Sequence, residues 1–205
     1  MNKLVRILVV IAIVIGVIAG VYYFSEQEKR AAAKVKIGFV TTITTPAGVI
    51  GKDMVDAVNL AMEDIGGKMA GRDVELIIED DGFKPAIGKQ KTDKLVKQDK
   101  VQFVTGFIWS HVLLASQKSA LEAGKFLISS NAGPSQMAGK LCHKNFFSTS
   151  WQNDQTPMAM GEVLNLNNVG SLYVMAPNYA AGKNMVAGVT RTFKGKIVGK
   201  DLTKW

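Results

Sequence analysis

Short apolar runs alternate with amphipathic segments along most of this chain. Runs rich in β-branched and large apolar residues predict buried strands, at Val35–Val40, Val74–Glu79, Val101–Thr105 and Phe126–Ser129. Between them, apolar residues recur at spacings of three and four, which predicts helices, at Lys52–Ile65, Ala86–Gln98 and Val112–Ala123. Such alternation predicts an α/β fold, a doubly wound parallel sheet with helices on both faces.

The alternation pauses at Phe146–Asn153 (FFSTSWQN), which we interpret as a crossover, and then restarts. The second part predicts helices at Thr156–Leu166 and Asn178–Phe193 and strands at Ser171–Met175 and Lys196–Gly199. Two strands with one complete crossover helix do not close an independent core. We therefore expect an N-terminal α/β lobe over residues 35–150 and the beginning of a second, incomplete lobe over residues 151–205, so the sequence looks truncated.

The N-terminal pattern differs from the rest. Lys3 and Arg6 precede an uncharged run from Ile7 to Phe24, which as a helix would be ~27 Å long. A positive segment followed by an apolar one predicts a signal peptide, and this length also suits an uncleaved membrane anchor formed by residues 7–24. Either reading of residues 1–34 predicts export, so we expect a periplasmic or otherwise extracytoplasmic protein.

Composition removes several classes of function. The chain of 205 residues is 47% hydrophobic, which is typical of a folded protein. Its net charge of +8 does not by itself identify a nucleic-acid binder. One cysteine, Cys142, excludes an intramolecular disulfide, and two histidines supply a zinc site poorly. We find no glycine-rich nucleotide loop and no nucleophile–base motif, so we expect neither an enzyme nor a cofactor or metal.

Candidate binding residues follow the predicted strands, because ligands of parallel sheets bind beyond the carboxyl ends of the strands. This rule selects three loops, Thr41–Gly51, Gly106–His111 and Ser130–Ser135. Ser110 stands where a helix begins, so it either caps that helix or also contacts a carboxylate ligand. Tyr179 follows the first strand of the second lobe and places an aromatic hydroxyl across a cleft.

Other polar residues near these loops have simpler interpretations. For His111 we favour a loop or pocket-lining role over catalysis. Asp80 and Asp81 are interpreted as a solvated carboxylate pair at a strand end. Cys142 is interpreted as a small buried thiol beside a surface histidine, His143.

Four segments in order resemble the periplasmic solute-binding proteins of the leucine/isoleucine/valine type, the receptors of branched-chain amino acid ABC transporters with the type I periplasmic binding fold. The segments are KVKIGFVTTITTPAGVIGKDMVDAVNLAMEDI, VELIIEDDGFKPAIGKQKTDKLV, VQFVTGFIWSHVLLASQKSALEAGKFLISSNAGPS and, after the crossover, LYVMAPNYAAGKNM. The resemblance runs from Val35 to about Gly199. It implies two lobes around a cleft that closes on a ligand.

The resemblance also implies roles for single residues. Ser110 would bind the ligand carboxylate, Asn131 would contribute a backbone carbonyl, Gly133 a backbone N–H, and Tyr179 would cover the ligand from the second lobe. Ile50 and Trp109 would line the site, with Trp109 and Phe83 at the approximate positions of a disulfide that some members carry.

Departures from the family pattern widen the expected ligand class. Gly133 stands where amino-acid binders carry a hydroxyl residue, and their acidic partner for an α-ammonium group lies beyond Trp205. The expected ligand is therefore a small carboxylate, either an amino acid or an aromatic or aliphatic acid. We expect residues 35–205 alone to bind it weakly or not at all.

Three functions follow from these residues. The favoured one is a solute receptor that delivers its ligand to an ABC permease in the membrane. The alternatives are a membrane-anchored sensor domain of the same fold and, last, an α/β enzyme. None of them involves nucleic acid.

Overall fold

The computed structural model describes residues 3–204, without the side chains of residues 3–10 and 27–32. Its helices are α1 (Lys3–Ala32), α2 (Val49–Asp64), α3 (Pro85–Lys97), α4 (Ser110–Leu121), α5 (Gln155–Leu166) and α6 (Ala180–Thr192). Its strands are β1 (Val35–Thr41), β2 (Lys68–Met69), β3 (Arg72–Asp80), β4 (Phe103–Gly106), β5 (Phe126–Ser129), β6 (Phe146–Ser148), β7 (Ser171–Pro177) and β8 (Lys196–Thr203).

The first six strands form one sheet in the order β2-β3-β1-β4-β5-β6. All neighbours in it are parallel except β2, which forms an antiparallel hairpin with β3. The chain moves from β1 to β3 in one direction and then returns past β1 to β4. Since the strand order reverses at β1 and β4, a crevice is expected beyond their carboxyl ends.

The main core lies between this sheet and the paired helices α3 and α4. Side chains with no solvent exposure come from both layers, among them Val40, Val104 and Leu127 of the sheet and Leu95 and Leu113 of the helices. The carboxylate of Glu79, at the end of β3, forms ion pairs with the Nζ atoms of Lys91 and Lys94, each at 2.7 Å. These ion pairs hold α3 against the sheet.

The second part of the chain is a smaller α/β unit. Strands β7 and β8 pair in parallel, and α5 packs against α6. Side chains on its outer surfaces are exposed, including Leu166, Met175 and Val198. The division into residues 35–150 and 151–205 stays a prediction.

The structure extends the sequence prediction in two places. The segment that we interpreted as a crossover begins with a short strand, since Phe146–Ser148 pairs in parallel with β5. The glycine-rich segment after α2 contains β2, which the sequence pattern did not predict. The helices and the other strands lie within a few residues of their predicted bounds.

Residues 11–24 of α1 have exposed apolar side chains, for example Ile18 and Phe24. Across the described residues, no helix combines the length and the apolar character that crossing a bilayer requires. The signal peptide or anchor predicted for residues 1–34 falls partly outside the described residues and stays a prediction.

Candidate functional site

The carboxyl ends of four parallel strands meet at one edge of the sheet. Register pairs place Thr41 beside Asp80, and Gly106 beside both Val40 and Ser129. The three loops selected from the sequence therefore do come together. Tyr179, which follows β7, reaches the same edge from the second unit and contacts Trp109 and His111.

Ser110 is the first residue of α4 and is 2% exposed. Trp109 occupies the N-cap position and makes no side-chain cap hydrogen bond, so the prediction that Ser110 caps this helix is wrong. Instead, the Asn153 amide donates to Ser110 Oγ at 2.9 Å. With its oxygen engaged as an acceptor, the hydroxyl can donate its hydrogen to a carboxylate.

Asn153 also links the two units. Its side chain, 4% exposed, donates to Asn184 Oδ1 on α6 at 3.4 Å, and the Ser135 N–H donates to the same oxygen at 3.2 Å. The backbone N–H of Asn153 donates to the Gly133 carbonyl at 2.7 Å. The position of the Ser110 hydroxyl thus depends on the connection between the units and on α6.

Backbone groups of the loop after β5 complete this polar edge. The side chain of Asn131 donates to the Ile108 carbonyl at 3.0 Å, which ties the loops after β4 and β5 together. Among the hydrogen bonds found in the described part of the chain, none uses the Asn131 carbonyl or the Gly133 N–H. These are the two groups for which the family resemblance implies ligand contacts.

A buried polar chain supports the other side of the crevice. Trp109 Nε1 donates to Thr42 Oγ1 at 2.9 Å, and Thr42 donates to Asp81 Oδ1 at 2.5 Å. The Phe83 N–H donates to the same carboxylate oxygen at 2.8 Å, while Asp81 Oδ2 has no partner. Burial raises the pKa of Asp81 against the opposing effect of these hydrogen bonds.

The interpretation of Asp80 and Asp81 as a solvated pair is wrong. Asp81 has no solvent exposure. Asp80 accepts from the backbone of Ile43 and Gly82 and from the Thr44 hydroxyl. Burial acts to raise the pKa of Asp80, but these hydrogen bonds outweigh it and lower the pKa. The pair therefore fixes the loop that follows β1.

Four rings fill the space between the polar groups. Phe83 lies edge-on against Trp109 at 4.9 Å and against His111 at 5.2 Å between ring centroids. Tyr179 lies edge-on against His111 at 5.4 Å and against Trp109 at 6.3 Å. Burial raises the pKa of Tyr179. Rings from both units therefore meet at this edge of the sheet, and the ligand contacts predicted for Trp109 and Tyr179 stay predictions.

Two predictions concern residues away from this cluster. Ile50 lies in the first turn of α2 and is 42% exposed, and it takes part in none of the hydrogen bonds or ring contacts described above. The prediction of a buried Cys142 is wrong, because its thiol is exposed. The neighbouring His143 is half-buried and accepts from the Asn145 N–H at 3.1 Å.

The imidazole of His111 is expected to make the stability of the folded state depend on pH. Burial lowers the pKa of its imidazole, although the Phe83 backbone and the Asp81 charge act to raise it, and Nδ1 is buried without a partner. A folded-state pKa below the unfolded value of ~6.5 means that neutral His111 favours the folded state above that pH. This stability is lost as the pH falls below ~6.5 towards the folded-state pKa.

The free energy of unfolding of the wild-type protein should fall when the pH is lowered from 8 to 5.5. We therefore expect it to fall less in His111→Gln over the same range, as measured by urea denaturation. Ser171→Ala, which removes no titratable group and is exposed at the start of β7, is the control and should keep the wild-type pH dependence. Equal pH profiles for the wild-type protein and His111→Gln would contradict this assignment.

Several residues of the crevice were not predicted from the sequence. Thr42 lies within a selected loop, but Asn153 and Asn184 come from elements far away in the chain. Asn153 ends the segment interpreted as a crossover and Asn184 lies within a predicted helix, and neither position carries a signal beyond its amide side chain. No group of three or more His, Cys, Asp or Glu side chains suited to a metal ion occurs among the described residues.

One protein family and several solved structures are similar to this chain. A family model described as "Periplasmic binding protein" matches residues 34–205. A solute-binding protein of an ABC transporter from Rhodopseudomonas palustris, solved with benzoate, is 27% identical over 84% of this chain and 49% of that chain, with a TM-score of 0.79. Another, from Rhodopseudomonas palustris BisB5 with 3,4-dihydroxybenzoic acid, is 25% identical over 83% of this chain and 47% of that chain, with a TM-score of 0.76.

The branched-chain amino acid transporter substrate-binding protein LivJ from Streptococcus pneumoniae, solved with isoleucine, shares the fold. It is 23% identical over 84% of this chain and 50% of its own, with a TM-score of 0.73. A search of curated proteins found no match. The chain spans about half the length of these solved chains.

Proposed function

Since this chain belongs to the periplasmic binding protein family and has its type I fold, we propose that it is a solute receptor of an ABC importer that acts outside the cytoplasm. Residues 35–150 would form the first lobe, and residues 151–205 would begin the second. Its partner would be an ABC permease in the membrane. The mechanism would be differential binding, in which a ligand that contacts both units stabilises their closed arrangement.

One observation carries this proposal. A buried hydroxyl at Ser110 and the backbone N–H of Gly133 lie at the shared edge of parallel strands, and Trp109, next to Ser110 in the chain, contacts Tyr179 of the second unit. Hydroxyl and backbone N–H donors at a helix start suit an anionic oxygen. The site thus has polar donors for a carboxylate and apolar walls for the rest of a small ligand.

We further propose an aromatic monocarboxylate as the ligand. The described crevice contains Phe83, Trp109 and Tyr179, whose edge-on packing provides surfaces for another ring. Gly133 offers a backbone group but no side-chain hydroxyl for an α-ammonium or α-carboxylate group. The two relatives from Rhodopseudomonas palustris, which were solved with benzoate and 3,4-dihydroxybenzoic acid, support the same class.

The test is a titration of the isotope-labelled full chain, followed by NMR, which detects weak binding. Benzoate should shift the backbone resonances of Ser110 and Gly133 in a saturable way, whereas benzamide, which lacks the charge, should not. Ser110→Ala should weaken benzoate binding about tenfold or more, because it removes a charge-assisted hydrogen bond.

Ser171→Ala is the matched control, since Ser171 is exposed at the start of β7. It should bind benzoate as the wild-type protein does. Equal binding of benzoate and benzamide, or an unaffected Ser110→Ala variant, would refute the carboxylate site. Stronger binding of isoleucine than of benzoate would refute the aromatic ligand class alone.

A further inference from the structure

A second cavity lies at the opposite edge of the sheet. Its volume is about 490 Å³, and it is lined by the residues at which β1, β4 and β5 begin, together with the β2–β3 hairpin. The lining consists of Val35, Met69, Ala70, Arg72, Gln102, Phe103, Gly124, Lys125 and Phe126. Because parallel strands have their carboxyl ends at the other edge, this cavity is separate from the crevice around Ser110.

The walls of the cavity are mostly apolar. Phe103 and Phe126 are register partners on β4 and β5, and their rings stack with centroids 5.5 Å apart. Phe126 is 41% exposed and Met69 is 39% exposed. Leaving this much apolar surface in water costs free energy, which an apolar ligand would recover on binding.

Arg72 provides the charge. Its Nε atom is buried and has no hydrogen-bond partner, and no salt bridge to Arg72 occurs among the described residues. The neighbouring Lys68, by contrast, pairs with Asp73 at 3.8 Å. The lining also includes Lys125 but no acidic residue.

Gln102 is the uncharged polar side chain of the lining, and its Oε1 atom is already engaged, because it accepts from the Lys36 N–H at 2.7 Å. A guanidinium group whose charge is not paired binds carboxylates in preference to neutral groups. The cavity therefore matches a ligand that carries one negative charge on an apolar body.

We propose that this cavity binds a small monocarboxylate with an apolar chain or ring, held by Arg72 and separate from the crevice. Cavities of this volume are typical of small-molecule sites. The apolar body would lie against Met69, Phe103 and Phe126, and the carboxylate would pair with the Arg72 guanidinium. The inference does not rest on the function proposed for the crevice.

The test uses octanoate as the probe and 1-octanol as its uncharged counterpart. The full chain is labelled at its methionine methyl groups, of which Met69 is the one in the cavity lining. Octanoate should move the Met69 resonance in a saturable way and leave that of Met54, on α2, unchanged. Octanol should bind at least tenfold more weakly.

Arg72→Gln should weaken octanoate binding about tenfold or more and leave octanol binding unchanged. The matched control is Lys68→Gln, which removes a charge from the same hairpin and should bind octanoate as the wild-type protein does. Ser110→Ala should also leave octanoate binding at Met69 unchanged, which separates this site from the crevice. A stationary Met69 resonance, equal binding of octanol, or full binding by Arg72→Gln would each overturn the proposal.

Discussion

Replacement of Gly133 by alanine is expected to lower the free energy of unfolding by about 3 kcal/mol. A Cβ atom at this position would lie 1.9 Å from the Trp151 carbonyl oxygen and 3.2 Å from Gln152 Cα. Both contacts are with backbone, which cannot rotate away as a side chain can. The Asn153 N–H donates to the Gly133 carbonyl at 2.7 Å, so relieving the clash breaks this hydrogen bond. Urea denaturation followed by far-UV circular dichroism measures the change.

The matched control is Gly170→Ala, because no atom lies within 4 Å of a Cβ built there. That variant should have an unfolding free energy within about 0.5 kcal/mol of the wild-type value. Since a shift of residues 151–153 would also move the Asn153 amide away from Ser110, Gly133→Ala should bind benzoate more weakly as well. Stability close to that of Gly170→Ala would show that the loops do not approach as closely as described.

Trp109→Ala is expected to cost a similar amount, about 3 kcal/mol. The substitution removes the ring contacts with Phe83 and Tyr179 and the hydrogen bond from Nε1 to Thr42. Thr42 then loses the donor that orients its hydroxyl beside Asp81, whose carboxylate is fully buried. Leaving such a group poorly satisfied adds to the cost of the cavity.

Trp151→Ala provides the same change at a side chain that is 54% exposed. We expect this control to lose less than about 1 kcal/mol when both variants are compared by urea denaturation. Trp109→Phe separates the two contributions, since it keeps an aromatic ring and removes only the donor. A loss for Trp109→Ala no greater than that for Trp151→Ala would contradict a supporting role of Trp109 in the crevice.

The fold class was predictable because each buried strand carries a local signal. Val35–Thr41 and Phe126–Ser129 are runs of β-branched and aromatic residues, and the helices between them have one apolar face. The comparisons confirm the type I fold that these patterns and the resemblance predicted. The strands that were missed lack such a signal. β2 has two exposed residues in a turn where Ala70 adopts a φ of 49°, and β6 has only three residues, too few for a recognisable pattern.

The site was predictable only in part, since it depends on partners that are distant in the chain. The strand-end rule selected the loops that contain Thr42, Trp109 and Ser110. It could not reveal that Asp81 is buried, because the groups that satisfy its Oδ1 come from the loop after β1 and from the Phe83 backbone. Likewise, no local pattern identifies Asn153 as the partner of Ser110, because 43 residues separate them. The ligand roles of Ser110, Asn131, Gly133, Tyr179, Trp109 and Ile50 stay predictions.

Two non-glycine residues near the crevice have strained backbone conformations. Phe83 and Phe107 have φ angles of 67° and 65°, in the left-handed region that bulky residues rarely adopt. Phe107 has no solvent exposure, and its N–H donates to the Val40 carbonyl at 2.7 Å. Surrounding contacts hold such conformations at a cost of ~1–3 kcal/mol each. Here they place Trp109 and the Asp81–Phe83 turn on the same side of the sheet.

The shared amide contacts of Asn184 have a thermodynamic consequence. Its Oδ1 accepts from Asn153, which in turn donates to Ser110, so the orientation of the Ser110 hydroxyl and the placement of α6 are coupled. Linkage between two such equilibria is reciprocal. If the observed placement of α6 strengthens anion binding at Ser110 by a given free energy, a bound anion would stabilise that placement of α6 by the same amount. Substitutions at Asn184 are therefore expected to change anion affinity at Ser110 and the placement of α6 together.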